Sequence, residues 1–266
     1  MRGMSDASPS EGTSPDSRSR IATLRLASGT EIVDEGIQLA RQNYGALVTA
    51  ALVPLVPYFG MDIWTSTHTE SLGLWPMVLF SVVWASLADA SAARVAMDAL
   101  EGRAADPMRA LRTTLRRAWA VIVSGVYRAI FGLIGLTLVL VPGLYILSVY
   151  ALIPVLPVLE PGMGAWRALR RSAALTRGDR GLAFGTYVAP YAFVFGANSL
   201  LSMIAERALG PQAGRLFGGL VGSCVALTMT PFIAAIQVRL YVELRMRKEA
   251  IDIEWALASA PSGAAT

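Results

Sequence analysis

The chain has 266 residues, of which 54% are hydrophobic and only 16% are charged, and its mean hydropathy is +0.51. Soluble domains carry about 25% charged residues, so this composition excludes an ordinary water-soluble protein and favours a helical membrane protein. The sequence has one histidine, His68, and one cysteine, Cys224. These are too few for a His/Cys metal cluster or a disulfide framework, and they make a Cys–His nucleophile pair improbable. We therefore expect no metal and no cofactor.

The chain divides into two polar tails and one apolar region. Residues 1–24 lack the apolar core of a signal peptide and are expected to form a disordered cytoplasmic tail, and residues 257–266 a second disordered tail. Between them, residues 25–256 contain runs close to the ~20 apolar residues that cross a bilayer. These six runs cover residues 44–61, 74–96, 119–141, 143–159, 182–205 and 216–238. Residues 141–143, Val-Pro-Gly, predict a tight turn between the third and fourth runs.

The basic residues fix the predicted orientation. Of the 23 basic residues, 20 lie on one predicted side: 19 in the two terminal segments and in the two long loops that follow the second and fourth runs, and Arg94 at the adjoining end of the second run. The loop at residues 62–73 contains acidic residues and no basic one. Because basic loops stay in the cytoplasm, we expect both termini and both long loops to be cytoplasmic.

A similar segment precedes each pair of runs. Arg-Ala-Leu-Arg occurs at residues 109–112 and again at 167–170. Asp106 and Pro107 are typical of a helix N-cap and first turn, Gly178 of a helix end, and Thr30 of a weaker cap near the N-terminus. Apolar residues recur at helical spacing beside the arginines: Met108, Leu111, Leu115 and Trp119 in one segment, Trp166, Leu169 and Ala173 in another, and Val33, Ile37, Ala40 and Tyr44 in the first.

These patterns together predict the fold class. We expect an all-α polytopic membrane protein with six transmembrane helices arranged as three hairpins, each preceded by a cytoplasmic amphipathic interfacial helix. The basic helices have two interpretations. They recognise anionic lipid, since each basic residue near such a surface contributes about 1 kcal/mol, or they serve only to fix the topology.

Two stretches resemble a known family. Residues 154–160, 168–172 and 175–178 look like the signature of the bacterial membrane domain found in glycerophosphoryl diester phosphodiesterases. Residues 240–249 with 252–254 are similar to its closing motif, and residues 31–44 fit its opening stretch. The resemblance implies a six-helix membrane domain in a bacterial inner membrane. The phosphodiesterase barrel of some relatives does not occur in this sequence, so no enzymatic activity is expected.

Two charged residues, Asp89 and Arg128, lie well away from the ends of the predicted membrane runs. Asp89 lies in the second run and Arg128 in the third, and charges at membrane depth are costly and often functional. One interpretation is an intramembrane ion pair that lines a polar cavity, as in a small transporter or lipid-translocating protein. The other is structural, with Asp89 paired locally and Arg128 reaching toward the interface.

The candidate headgroup site lies at the cytoplasmic face. Arginine forks suit phosphate and carboxylate alike, so this set either binds phospholipid headgroups or clamps the fold. The candidates are Glu160, Arg109, Arg112, Arg167, Arg170, Arg171, Arg177 and Arg245. The sequence thus favours a non-enzymatic membrane protein that binds anionic phospholipid or scaffolds a membrane-protein partner, without nucleic acid. Gly218 and Gly222 form a GxxxG pattern that suits either a homo-oligomer or packing within one bundle.

Overall fold

A computed structural model describes residues 27–67, 74–138 and 140–249. Within these ranges every regular element is a helix, which confirms the predicted all-α class. The two predicted tails, the external loop from residue 68 onward and the motif at 252–254 lie outside the described residues. The α-helices are α1 (Gly29–Gln42), α2 (Tyr44–Thr67), α3 (Leu74–Leu100), α4 (Pro107–Arg116), α5 (Ala118–Leu138), α6 (Leu140–Val149), α7 (Leu156–Leu159), α8 (Ala165–Leu175), α9 (Arg180–Ala183), α10 (Ala189–Leu209) and α11 (Pro211–Glu249).

Several of these helices are long and apolar enough to cross a membrane. In the described part of the chain four continuous helical paths meet this condition: α2, α3, the path from Arg180 to Leu209, and α11. A fifth appears if α4 and α5, which meet at an angle of 78°, are counted as one broken span. The protein is therefore a helical membrane protein with four or five candidate spans.

The fourth predicted run, residues 143–159, does not form one helix. Helix α6 ends at Val149, residues 150–155 form turns, and only the short α7 follows. Pro154 and Pro157 explain the break, because proline lacks a backbone N–H and its ring clashes with the preceding helical turn. The turn predicted at residues 141–143 is also misplaced, since these residues belong to α6.

Helix α11 organises the molecule. Its 39 residues extend roughly 58 Å at 1.5 Å per residue, about twice the thickness of the hydrocarbon core. From Thr230 to Leu244 almost every side chain is buried, because α1, α2, α3 and α8 pack around this half. Gly36 of α1 lies against Ile236, where a Cβ would come within 2.7 Å of the isoleucine side chain.

The first half of α11 packs along α10 instead. Gly214, Gly218 and Gly222 approach Glu206, Ser202 and Asn198 in turn, which is the pairing of two antiparallel helices. A Cβ on Gly218 would lie 2.8 Å from the Ser202 hydroxyl oxygen. The GxxxG face is therefore used within the chain, and the homo-oligomer suggested for Gly218 and Gly222 has no open face here.

The bundle has two unlike ends. We call the charged end the one formed by α1, α4, α8 and residues 231–249 of α11. The opposite end, near Gly210, consists of the adjoining parts of α10 and α11, whose large apolar side chains are mostly exposed. Buried charged side chains concentrate at the charged end, where Asp98 and Glu243 are 0% exposed and Arg239 is 2% exposed.

Candidate functional site

The three short helices at the charged end begin differently. The Asp106 side chain accepts hydrogen bonds from the backbone N–H groups of Met108 (2.9 Å) and Arg109 (3.2 Å), which confirms the predicted cap of α4. Helix α1 is capped by Ser28 and not by Thr30, because Ser28 forms a capping box with Glu31. Helix α8 follows Gly164 and has no side-chain cap.

The predicted end of α8 also needs correction. The helix ends at Leu175, and Gly178 lies three residues further on. Gly178 has a φ of +93°, a conformation that L side chains rarely adopt. It therefore turns the chain toward α9 after the helix has already ended.

The repeat suggested by Arg-Ala-Leu-Arg extends to the burial pattern of these helices. Counted from the N-cap, the side chains at positions +4, +5 and +8 face the protein interior in α4 and α8. Helix α1 follows the same pattern, with its +5 side chain half-buried. The sets are Ala110, Leu111 and Thr114; Ala168, Leu169 and Ser172; and Ile32, Val33 and Gly36. All three helices thus present the same face to the bundle.

The predicted apolar stripes divide between protein and surroundings. Leu111 and Leu169 are buried, whereas Met108, Leu115 and Trp166 are exposed. Trp119, at the start of α5, is 79% exposed. In α1 the buried stripe is Ile32, Gly36 and Ala40, one residue away from the predicted Val33 and Ile37. Helix α1 therefore directs its apolar face onto α11.

The outer faces of the three helices differ in charge. Positions +3 and +6 carry Arg109 and Arg112 in α4, and Arg167 and Arg170 in α8. With 3.6 residues per turn, these arginines lie beside the exposed apolar side chains of their helices. The same positions in α1 carry Glu31 and Asp34. Only two of the three repeated helices therefore present a basic outer face.

Most arginines on these outer faces form no ion pair within the described part of the protein. Arg109, Arg112 and Arg170 on these faces are exposed, and so is Arg177 just after α8. None of the four forms an ion pair with another residue in the part of the chain that the structure describes. Arg167 donates a hydrogen bond to the carbonyl of Gly162. These guanidinium groups keep donors available for a ligand outside the protein.

Arg171, in contrast to its neighbour Arg170, forms ion pairs within the protein. Its guanidinium lies 2.9 Å from Glu160 and also pairs with Glu249 at the end of α11. The hydrogen bond to Glu249, aided by the one to Glu160, raises the pKa of Arg171 above its ordinary value despite partial burial. Arg171 therefore connects α8 to α11.

Two further side chains complete this cluster. The Tyr241 hydroxyl donates to Glu160 at 3.0 Å and accepts from Arg245 at 3.2 Å. Arg245 also pairs with Glu249 at 2.9 Å. We call Glu160, Arg171, Tyr241, Arg245 and Glu249 the clamp. Three of the predicted headgroup residues, Glu160, Arg171 and Arg245, thus belong to one cluster, in which Tyr241 and Glu249 connect Arg245 to the other two.

A second network surrounds Glu243. Its carboxylate accepts from the backbone N–H of Ala27 at 3.0 Å and pairs with Arg247 at 2.9 Å and Arg239 at 3.3 Å. Arg239 also pairs with Glu35 of α1. The network thus fastens the first described residues of the chain to its last helix.

The unwound segment between α6 and α7 is held by side chains from other elements. Ser172 donates to the carbonyl of Val149 at 2.7 Å, and Gln237 donates to that of Ala151. Arg117 donates to the carbonyls of Pro157 (2.6 Å) and Glu160 (2.9 Å). Residues 151–155 of this segment are buried, so protein surrounds the non-helical backbone.

The two intramembrane charges are close together. Arg128 lies 3.4 Å from Asp89 and donates to the Tyr187 hydroxyl at 2.9 Å. Tyr187 belongs to a π-helical turn, Phe184–Val188, just before Pro190. Because Pro190 has no N–H to continue the α-helical pattern, the wider turn forms there.

Sequence reasoning missed the buried charges Asp98 and Arg239. Asp98 pairs with Arg94 at 2.7 Å and Arg103 at 2.8 Å. The available signal was spacing, since Arg94 and Asp98, like Arg239 and Glu243, are four residues apart on a helix. Such spacing predicts a pair without indicating burial.

The described charged residues do not form a metal site. Among the described residues, no group of three or more His, Cys, Asp or Glu side chains is placed to hold a metal ion. The arrangement can instead bind anions through the outer arginines and stabilise the fold through the inner pairs.

Comparison with protein-family models, curated proteins and solved structures gives no significant match.

Proposed function

We propose that the protein binds anionic phospholipid headgroups at its charged end without enzymatic activity. The single observation that carries this proposal is the outer face of α4 and α8, where unpaired arginines lie beside exposed Met108, Leu115 and Trp166. A headgroup phosphate matches the guanidinium fork, and the acyl chains match the apolar side chains.

The orientation of α4 supports this assignment. Helix α4 meets α5 at 78°, so a membrane-crossing α5 leaves α4 nearly parallel to the bilayer surface. Its buried face then contacts the bundle, its apolar side contacts lipid and its arginines reach the headgroup layer. Trp166 lies 6.5 Å from Tyr127 of α5, between ring centroids, which places α8 beside the same helix.

The wider setting belongs to the same proposal. The three short helices and the basic loops support a bacterial inner-membrane protein with three repeated units, six crossings and cytoplasmic termini. The fourth crossing would be the broken path through α6 and α7. The resemblance to the membrane domain of glycerophosphoryl diester phosphodiesterases supports the same arrangement.

The experiment compares two double variants with the same change in charge. Arg167→Gln/Arg170→Gln alters the outer face of α8, and Arg207→Gln/Arg215→Gln alters the opposite end. Each protein is reconstituted in nanodiscs of equal phosphatidylglycerol and phosphatidylcholine, and retained lipid is identified by native mass spectrometry.

We expect the α8 variant to retain several-fold less phosphatidylglycerol than the unaltered protein, since each arginine near an anionic surface contributes about 1 kcal/mol. The Arg207/Arg215 variant should keep its lipid preference. If both variants retain as much phosphatidylglycerol as the unaltered protein, the headgroup site is rejected. If both variants lose the same amount, the loss is a non-specific effect of charge and the site is rejected as well.

A further inference from the structure

A cavity lies between α2, α3, α10 and α11, away from the charged end. Its volume is about 210 Å³, and its walls are mostly apolar. Five polar side chains also line it: Tyr58, Asp89, Tyr191, Asn198 and Thr230. A carboxylate at membrane depth is costly unless a partner or a function retains it.

Only one member of the intramembrane ion pair reaches this cavity. Asp89 lines it, whereas Arg128 and Tyr187 are absent from its walls. Arg128 contacts the Oδ2 atom of Asp89 at 3.4 Å, longer than the 2.7–2.9 Å usual for a charge-assisted hydrogen bond. The Asp89 carboxylate therefore retains acceptor capacity toward the cavity.

The other polar groups also present acceptors. The Asn198 Oδ1 atom is buried and has no hydrogen-bond partner among the described residues. The Thr230 hydroxyl donates a hydrogen bond to the carbonyl of Ala226 at 2.7 Å, so its oxygen lone pairs remain available to accept from a ligand. Gly222 keeps the cavity open beside Asn198, because a Cβ there would lie 3.2 Å from the amide nitrogen.

Aromatic rings complete the lining. Tyr58 of α2 and Tyr191 of α10 both contribute to the walls. The faces of aromatic rings attract cations, and quaternary ammonium groups are recognised in this way. A carboxylate, an unpartnered amide oxygen and two tyrosines together favour an organic cation over an anion.

We propose that this cavity binds a small organic ammonium cation. Its volume of about 210 Å³ suits a compact ammonium compound and is too small to enclose a whole phospholipid. The cation approaches Asp89 from the side opposite Arg128. This site is separate from the basic outer faces of α4 and α8 and does not depend on headgroup binding there.

The test uses a single reporter cysteine. Cys224 is the only cysteine in the sequence, so Cys224→Ala gives a cysteine-free background. Ala226→Cys places a thiol in the cavity wall. Ala197→Cys is the matched control, because Ala197 is exposed on α10 and does not line the cavity. The full chain in membrane vesicles is treated with trimethylammonium-ethyl or sulfonatoethyl methanethiosulfonate.

We expect the ratio of cationic to anionic reaction rates at the cavity thiol to exceed the ratio at Ala197→Cys by at least about tenfold, as in clefts that concentrate one sign of charge. Tetramethylammonium should slow the reaction of the cavity thiol with the cationic reagent and leave the Ala197→Cys protein unaffected. Equal rate ratios at the two thiols, no reaction of the cavity thiol, or no protection by tetramethylammonium would overturn the proposal.

Two variants then locate the binding group. Asp89→Asn should abolish the preference for the cationic reagent. Should that protein fail to fold, Asn198→Leu is the deciding variant, because it replaces the unpartnered amide oxygen with an apolar group and leaves the Asp89–Arg128 pair in place. Asn198→Leu should remove protection by tetramethylammonium, and protection that persists in this variant would contradict the assignment.

Discussion

The two halves of α11 experience opposite surroundings. From residue 231 to 244 the helix is enclosed by α1, α2, α3 and α8, and even Arg239 and Glu243 are buried there. In the first half Phe217 and Leu220 are exposed, as are Leu200 and Ile204 on the adjoining α10. Apolar side chains in hydrocarbon need no protein cover, whereas a helix end that leaves the bilayer must build its own core.

This contrast predicts that charge removal is most costly inside the charged end. Glu243→Gln keeps the size of the side chain but leaves Arg239 without its buried partner in α11, which should lower the free energy of unfolding by about 3 kcal/mol. Thermal unfolding in detergent measures the effect. Glu206→Gln, on an exposed residue near the opposite end, is the control and should change stability by less than about 0.5 kcal/mol.

A rescue experiment separates lost pairing from lost packing. The double variant Arg239→Met/Glu243→Leu removes both charges, and apolar replacement of a whole buried pair is often neutral or stabilising. It should recover part of the stability that Glu243→Gln loses, whereas Arg247 and the backbone N–H of Ala27 remain without their acceptor. A double variant as unstable as the single one would show that the pair is not the source of the effect.

The same truncation in the two regions sharpens the contrast in packing. Leu240 is 0% exposed in the charged end, whereas Leu200 is 54% exposed on α10. Leu240→Ala should lower the free energy of unfolding by about 2–5 kcal/mol, because a buried cavity is left behind. Leu200→Ala should change it far less. Equal losses at both sites would mean that the exposed half is covered by protein, not by lipid.

Smaller effects are expected at the helix starts. Asp106→Ala removes the side-chain cap of α4 and should cost about 1 kcal/mol. Gly164→Ala is the matched control at the start of α8, where no side-chain cap exists and no atom lies within 4 Å of an added Cβ. Differential scanning fluorimetry compares the two. A loss as large in Gly164→Ala would show that caps do not explain the difference.

The parts of the fold that depend on local pattern were predictable. Apolar runs located α2, α3, α5 and most of the path from Arg180 to Leu209 within a few residues, and Asp106-Pro107 predicted the start of α4. The same reasoning ended the last run at residue 238, although α11 continues to Glu249. The extension is amphipathic and charged, and it becomes buried only because α1 and α8 cover it.

The parts that depend on distant contacts were not predictable. The break after Val149 is stable because Ser172 and Gln237 supply donors to the carbonyls of Val149 and Ala151, and these two residues lie far away in sequence. The candidate site shows the same division. Sequence spacing placed Arg170 and Arg171 together in one basic helix, but only the fold shows that Arg171 is paired and Arg170 is not.

That pair of neighbours gives the most direct test of headgroup binding by the outer arginines. Arg170→Gln and Arg171→Gln carry the same change in charge at adjacent positions, and both melting temperature and retained phosphatidylglycerol are measured for each. Arg170→Gln should lose lipid, at about 1 kcal/mol for one basic residue, and keep its melting temperature. Arg171→Gln should melt earlier and keep its lipid. Retention of lipid by Arg170→Gln equal to that of the unaltered protein would contradict the account.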